Sequence, residues 1–142
     1  MAKPAVLFLC TGNSCRSQMA EAFLRKHAGD CFEVFSAGTE PKPINPLTYH
    51  VMAEVGEPLT GHRSKQVNEL VGNIQFDYLI TVCDEADKKC PIGLVKAGNR
   101  MHWFFEDPAA AMGDVETRLP KFREVRDLID KRIQDWLTRA EN

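Results

Sequence analysis

The stretch of residues 5–17 constrains the fold of this chain more than any other feature. Five consecutive apolar residues, 5–9, predict a buried strand, and a helical pattern begins at about Ser14. Between them lies a loop of small residues: Cys10-Thr11-Gly12-Asn13-Ser14-Cys15-Arg16-Ser17. A loop that joins a strand to a helix in this way gathers backbone N–H groups at the positive end of the helix dipole. The sequence therefore predicts an anion-binding cradle at the end of a buried strand.

Cys10 and Arg16 determine the chemistry that this cradle could perform. Cys10 would lie beneath the N–H groups and near Arg16, and these conditions favour a thiolate over a thiol. Such a thiolate is a nucleophile directed at the central atom of a tetrahedral anion, and the Arg16 guanidinium can pair two of that anion's oxygens. The alternative is two buried thiols and a surface arginine. The candidate oxyanion-binding residues are Thr11, Gly12, Asn13, Ser14, Cys15, Arg16 and Ser17.

Length and charge exclude several other functions. The 142 residues suit one domain, residues 1–142. The formal net charge is −2, which provides no basic field for nucleic acid or an anionic membrane. The longest apolar runs fall well short of the about 20 residues that span a bilayer, and the N-terminus does not read as a signal peptide. We therefore expect a cytoplasmic protein that binds neither nucleic acid nor membranes; we also expect a monomer, although the oligomeric state does not follow from these features.

The cysteine content also needs an explanation. Five cysteines occur: Cys10, Cys15, Cys31, Cys83 and Cys90. An odd number in a reducing compartment argues against a disulfide framework and leaves metal binding, catalysis or transient redox chemistry. Because no histidine stands at ligand spacing from these cysteines, the pattern is poor for zinc, and we expect no metal and no cofactor.

Apolar runs alternate with helical patterns along the chain. The predicted strands are residues 5–9, 32–36, 76–82 and 100–105. The predicted helical segments are residues 14–28, 45–56, a short stretch from 64, a turn at 84–89 and a long amphipathic helix at 121–138. This alternation predicts an α/β fold of three layers, with a four-stranded parallel sheet and helices on both faces.

Three chemistry-bearing residues follow the carboxyl ends of predicted strands. Ligands of such sheets bind at this edge, and Cys10, Cys83 and Asp107 all lie there. A thiolate that attacks an oxyanion needs a proton donor for the departing hydroxide or alkoxide, and Asp107, stiffened by Pro108, is our candidate. The alternative for Asp107 is an ordinary Asp-Pro turn.

The thiols at this edge suggest a relay. If the third strand lies beside the first, their ends are about 4.8 Å apart, within the disulfide range of about 4.4–6.8 Å between Cα atoms, so Cys10 and Cys83 could meet. If residues 83–90 are helical, Cys83 and Cys90 are about 10.5 Å apart and the segment must unwind before they can pair. In the relay Cys10 attacks the anion, Cys83 attacks Cys10 and Cys90 attacks Cys83. Alternatively, Cys83 is a buried strand-end residue and Cys90 is incidental. We expect no redox role for Cys15 or Cys31.

These features together resemble a known family. Residues 10–21, residues 36–38, Cys83, Cys90-Pro91 and Asp107-Pro108 closely resemble the thioredoxin-coupled arsenate reductases, and the resemblance covers essentially the whole chain. Those reductases share the fold of the low-molecular-weight protein tyrosine phosphatases. The resemblance therefore implies a four-stranded parallel sheet in the order 2-1-3-4.

The resemblance also implies a reaction. Arsenate, with phosphate or sulfate as mimics, would bind the loop; Cys10 would attack it, Arg16 would stabilise it and Asp107 would act as the acid. Cys83 would then release arsenite by forming a disulfide with Cys10. Cys90 would take over that disulfide, and thioredoxin would reduce it. The cysteine pair favours thioredoxin over a glutathione system as the electron donor.

One position departs from some relatives, which bind a monovalent cation behind the loop. The family places that cation near Asn13, Glu21, Ser36 and an acidic residue, and the acidic position corresponds to Lys65 here. We therefore predict that this protein does not depend on potassium, with the Lys65 ammonium in place of the ion.

Two other functions remain open from the sequence. A phosphatase would use the same loop, although Gln18 stands where phosphatases usually carry proline and no tyrosine follows Asp107 to line a phosphotyrosine slot. We expect a weak phosphatase side activity. The second alternative is a redox sensor or oxyanion-binding protein that performs no multiple turnovers.

Overall fold

The computed structural model describes residues 3–72, 74–83 and 95–140. Its strands are β1 (Ala5–Cys10), β2 (Glu33–Gly38), β3 (Phe76–Thr81) and β4 (Ala97–His102). Its α-helices are α1 (Arg16–Ala28), α2 (Pro46–Glu54) and α3 (Val115–Ala140), and single 3₁₀ turns span Val67–Glu69 and Pro108–Ala110. The predicted turn at 84–89 and Cys90 lie outside the described residues.

The four strands form one parallel sheet in the order β2-β1-β3-β4, so the predicted architecture is confirmed. β1 lies in the middle and is buried along its whole length. Alternate β1 residues face opposite sides of the sheet. Val6 and Phe8 pack with residues of the three α-helices, while Leu7 and Leu9 pack with Val67 on the other side. Helical segments therefore cover both faces.

Most elements lie within two residues of their predicted bounds, and the largest differences are in β4 and α3. β4 begins three residues early, at Ala97, and ends at His102, before the aromatic residues that suggested a strand at 100–105. Its middle residues are exposed and include Asn99 and Arg100. An apolar run does not mark this strand, since its backbone pairing with β3 defines it. α3 begins at Val115 instead of 121, since Asp114 accepts a hydrogen bond from the Thr117 N–H at 2.9 Å and caps the helix.

A polar contact holds α2 against α3. The Glu54 carboxylate accepts hydrogen bonds from the Arg123 guanidinium at 2.7 Å and from the Arg126 guanidinium at 2.9 Å. The hydrogen bond from Arg123 is the main cause that lowers the pKa of Glu54 to about 2. Since α2 begins at the cap residue Asn45, next to the loop of residues 10–17, this contact also steadies the loop. Among the described residues, none of the helices is both long enough and apolar enough to cross a membrane.

Candidate oxyanion site

A cavity of about 370 Å³ lies where β1 ends and α1 begins. The loop of residues 10–17 forms its floor, and the turn that starts at Asp107 forms one wall. Ten residues line it: Cys10, Thr11, Gly12, Ser14, Cys15, Arg16, Lys42, Asp107, Ala109 and Ala110. The loop, which includes Arg16, and Asp107, which is far from it in sequence, are thus brought together as the sequence predicts.

The connector of residues 39–45 holds the loop from behind. Its N–H groups donate to loop carbonyls, from Glu40 to Thr11 at 2.9 Å, from Lys42 to Gly12 at 2.9 Å and from Asn45 to Ser14 at 3.1 Å. In a trans peptide the carbonyl and the next N–H point in opposite directions. Because the carbonyls face the connector, the following N–H groups face the cavity, where they can bind an anion.

Gly38, at the end of β2, allows the loop to lie this close to the sheet. A Cβ at Gly38 would stand 2.5 Å from the Thr11 carbonyl oxygen and 3.0 Å from the Asn13 nitrogen. Both contacts are with backbone atoms that cannot move aside without distorting the loop. Any larger residue at this position would therefore displace the cradle.

Cys10 lies on the cavity floor, where its sulfur has two hydrogen-bond partners. The Asn13 N–H donates to Cys10 Sγ at 3.2 Å, and Ser17 Oγ lies 2.9 Å from the same sulfur. Ser17 Oγ already accepts a hydrogen bond from Asn13 Nδ2 at 2.8 Å, so its one hydrogen is available for Cys10. These contacts hold the sulfur in place on the cavity floor.

Asn13 fixes the loop conformation from behind the cavity. It is fully buried and adopts a positive φ of 49°, which asparagine tolerates better than most residues. Its side-chain oxygen accepts from the Lys65 N–H at 3.0 Å and from Gln18 Nε2 at 3.1 Å, while its Nδ2 also donates to Ser36 Oγ at 3.1 Å. Asn13 and Ser17 therefore support the loop instead of lining the cavity.

Arg16 and Asp107 face each other across the cavity. The Arg16 guanidinium is buried, donates to the Phe105 carbonyl at 3.1 Å and lies 3.8 Å from Asp107 Oδ2. The other carboxylate oxygen of Asp107 accepts from the Ala109 N–H at 3.0 Å and caps the turn that follows. This cap orients Asp107 toward the cavity, where its side chain is 38% exposed.

The other thiols differ in their placement. Cys83 is fully buried two residues after β3, where the Val82 N–H donates to the Leu9 carbonyl and extends the pairing with β1. Cys83 lies beside the end of β1 and is not among the residues that line the cavity. Burial raises the pKa of the Cys15 thiol to about 11, so Cys15 remains a thiol at neutral pH. Cys31 is exposed in a turn.

A buried charged cluster lies behind the loop. The Glu21 carboxylate accepts from Ser36 Oγ at 2.5 Å and pairs with the Arg25 guanidinium at 2.7 Å. The Lys65 ammonium donates to the Ser36 carbonyl at 2.9 Å and lies 4.0 Å from Glu21. Burial lowers the pKa of Lys65, and Glu21 opposes that shift. His62 lies 3.6 Å from the same carboxylate, and burial lowers its pKa.

Sequence reasoning missed one residue of this site and the structural role of another. Lys42 lines the cavity, although the sequence shows it only as one residue of a proline-rich connector. Gln18 is buried and donates to the Asn13 carbonyl at 3.2 Å and to the Arg63 carbonyl at 3.0 Å, so it ties the loop to residue 63. The spacing of Pro41-Lys42-Pro43 before the Asn45 cap is the one sequence signal that could have drawn attention to Lys42.

The central parallel strand, the amide-lined loop at its end and the thiol on the loop floor define a class of cysteine-dependent phosphatase-like proteins. The family model described as low molecular weight phosphotyrosine protein phosphatase matches residues 5–142. The chain belongs to this family.

Several relatives of this chain within the family are named arsenate reductases. The arsenate reductase of Oceanobacillus iheyensis is 42% identical over 134 residues, which cover 94% of this chain and 95% of that protein. A solved structure of an arsenate reductase in the phosphate binding state is 28% identical and superposes with a TM-score of 0.78 over 96% of this chain and 98% of that one. A thioredoxin-dependent arsenate reductase of Corynebacterium glutamicum is 30% identical, with a TM-score of 0.69, over 98% of this chain and 62% of that one.

Proposed function

We propose that this protein reduces arsenate to arsenite in the cytoplasm with a relay of three cysteines, and that thioredoxin restores the reduced protein. The observation that carries the proposal is the position of Cys83, buried at the end of the strand that pairs with the Cys10 strand. A phosphatase of this kind needs only the Cys10 thiol. The proposed reductase also needs a second thiol beside Cys10, with which Cys10 can form a disulfide. The names of the relatives support the same function.

The first step forms a bond between sulfur and arsenic. The loop N–H groups and the Arg16 guanidinium hold the anion, and the Cys10 thiolate attacks the arsenic atom. One As–O bond breaks, and the departing hydroxyl group takes a proton from Asp107 and leaves as water.

The second and third steps move electrons through the thiols. Cys83 attacks the Cys10 sulfur, an S–S bond forms, and the electron pair of the S–As bond passes to arsenic, which leaves as arsenite. Cys90, which lies outside the described residues, then attacks Cys83 and releases the Cys10 thiolate. The dithiol of thioredoxin reduces the Cys83–Cys90 disulfide and closes the cycle.

A phosphatase is the second candidate function, because the same cavity suits a phosphate ester. Ala109 and Ala110 line the cavity wall where an aryl group would pack, and such small side chains offer little surface for a ring. We therefore propose that inorganic arsenate is the principal substrate and that phosphate monoesters are turned over weakly.

The test follows NADPH in the presence of arsenate, thioredoxin and thioredoxin reductase, with p-nitrophenyl phosphate assayed in parallel. We expect many equivalents of NADPH to be consumed and a matching amount of arsenite to be formed. Fast hydrolysis of p-nitrophenyl phosphate without arsenate-dependent oxidation would instead assign the protein to the phosphatases. One equivalent of disulfide without further turnover would favour a redox sensor.

A further prediction concerns the cluster behind the loop. We propose that the Lys65 ammonium, which donates to the Ser36 and Arg63 carbonyls, supplies the positive charge beside Glu21 and makes a bound cation unnecessary. Replacing NaCl by KCl at constant ionic strength should therefore change the steady-state rate by less than about twofold. Lys65→Ala should lower the rate in NaCl and recover part of it in KCl. A strong potassium activation of the unmodified protein would contradict the proposal.

A further inference from the structure

A cation that the proposed relay does not use lies on the wall of the oxyanion cavity. Lys42 lines the cavity together with Cys10, Arg16 and Asp107. It belongs to the connector between β2 and α2, so it reaches the cavity from a different part of the chain than the loop does. The residue is exposed, which leaves its ammonium free to meet an incoming anion.

The backbone holds Lys42 at this position. Its N–H donates to the Gly12 carbonyl at 2.9 Å, and Pro41 and Pro43 flank it. Each proline ring fixes its own φ angle, and a following proline restricts the residue before it. The Lys42 Cα is therefore anchored to the loop, while the long side chain remains adjustable.

The charges on the cavity wall show why this ammonium matters. Among the described residues that line the cavity, the charged side chains are Arg16, Lys42 and Asp107. Asp107 offsets Arg16, from which it lies 3.8 Å away. Ionisation of Cys10 as the nucleophile adds one negative charge. With Lys42 the charges of these four side chains sum to zero, and without it they sum to −1, which opposes the binding of an oxyanion.

We propose that Lys42 is a specificity-determining residue that favours doubly charged over singly charged oxyanions in this cavity. The inference rests on the proposed oxyanion site and extends it to the charge of the ligand. Coulomb energy is proportional to the charge of the ligand, so removing one cation costs a dianion twice the binding energy that it costs a monoanion. The factor by which the affinity falls is therefore squared for the dianion. A loss of about threefold in affinity for a monoanion thus becomes about tenfold for a dianion.

Equilibrium binding tests this without relying on turnover. In a Cys10→Ser background, which removes the nucleophile, titration calorimetry would measure binding of sulfate, a tetrahedral dianion, and of perchlorate, a tetrahedral monoanion. Lys42→Gln should weaken sulfate binding about tenfold and perchlorate binding about threefold, and the difference should shrink as salt is added. Lys42→Arg should retain the preference for sulfate. Lys26→Gln, an exposed lysine near the end of α1, is the matched control and should change neither affinity.

Each contrary result has a distinct meaning. Unchanged sulfate affinity in Lys42→Gln, or equal losses for the two anions, would overturn the role of Lys42 in charge selection. The same would follow if Lys26→Gln reproduced the effect, because the change would then reflect net charge alone. If the Cys10→Ser protein with Lys42 intact bound no tetrahedral anion, the proposed oxyanion site would fall, and this inference with it.

Discussion

Replacement of Cys83 by serine should abolish sustained arsenate-dependent oxidation of NADPH while leaving the turnover of p-nitrophenyl phosphate. The reason is that Cys83 is buried beside the end of β1 and the proposed relay requires it to attack a substituted Cys10, whereas ester hydrolysis needs no thiol other than Cys10. A serine oxygen cannot form the disulfide through which the two thiols give up two electrons to arsenic. We expect the rate of arsenate reduction to fall by at least about 10³, since the relay loses its second member.

Three further variants make this result specific. Cys10→Ser should abolish both activities, because it removes the shared nucleophile. Cys90→Ser should release about one arsenite per protein and then stop with a Cys10–Cys83 disulfide, which mass spectrometry after alkylation would detect. Cys31→Ser, at an exposed thiol in a turn remote from the cavity lining, is the matched control and should behave as the unmodified protein does. Undiminished arsenate reduction by Cys83→Ser would overturn the relay.

The oxyanion loop could be predicted from sequence because its geometry is local. A buried strand, small residues and a helix start within residues 5–17 are enough to place the N–H groups, and the parallel strands bring Asp107 to the same edge. The backbone hydrogen bonds between loop carbonyls and residues 39–45 leave no such pattern. They involve main-chain groups that every residue except proline possesses, so the sequence does not reveal that Lys42 faces the cavity.

The error in the predicted position of the fourth strand has a similar cause. The aromatic residues Trp103 and Phe105 are buried and suggested a strand, but they follow β4 instead of forming it. The Trp103 N–H still donates to the Thr81 carbonyl at 2.8 Å, so the chain continues along β3 after the regular strand ends. An edge strand is defined by its pairing partner, and β4 takes its register from β3, which begins at Phe76. Periodicity in one segment cannot show where its partner starts.

Phe8→Ala should produce the largest loss of stability among single substitutions in the sheet. Phe8 is fully buried in the central strand, on the same face as Cys10, and its ring centroid lies 6.0 Å from that of Trp103. Truncation of a buried phenylalanine costs about 3–5 kcal/mol, because it removes apolar contacts and leaves a cavity. That is a large share of the about 5–15 kcal/mol that stabilises a typical domain.

Urea denaturation followed by circular dichroism would measure the change. The midpoint for Phe8→Ala should fall strongly, while the slope of the transition stays near that of the unmodified protein. Phe104→Ala removes the same side chain where it is 60% exposed, and it should change the free energy of unfolding by less than about 0.5 kcal/mol. If Phe8→Ala fails to fold, Phe8→Leu keeps most of the volume and should cost less than about 1.5 kcal/mol. Equal midpoints for Phe8→Ala and Phe104→Ala would contradict the burial of Phe8 beneath the site, since only a packed ring on this face of β1 distinguishes the two positions.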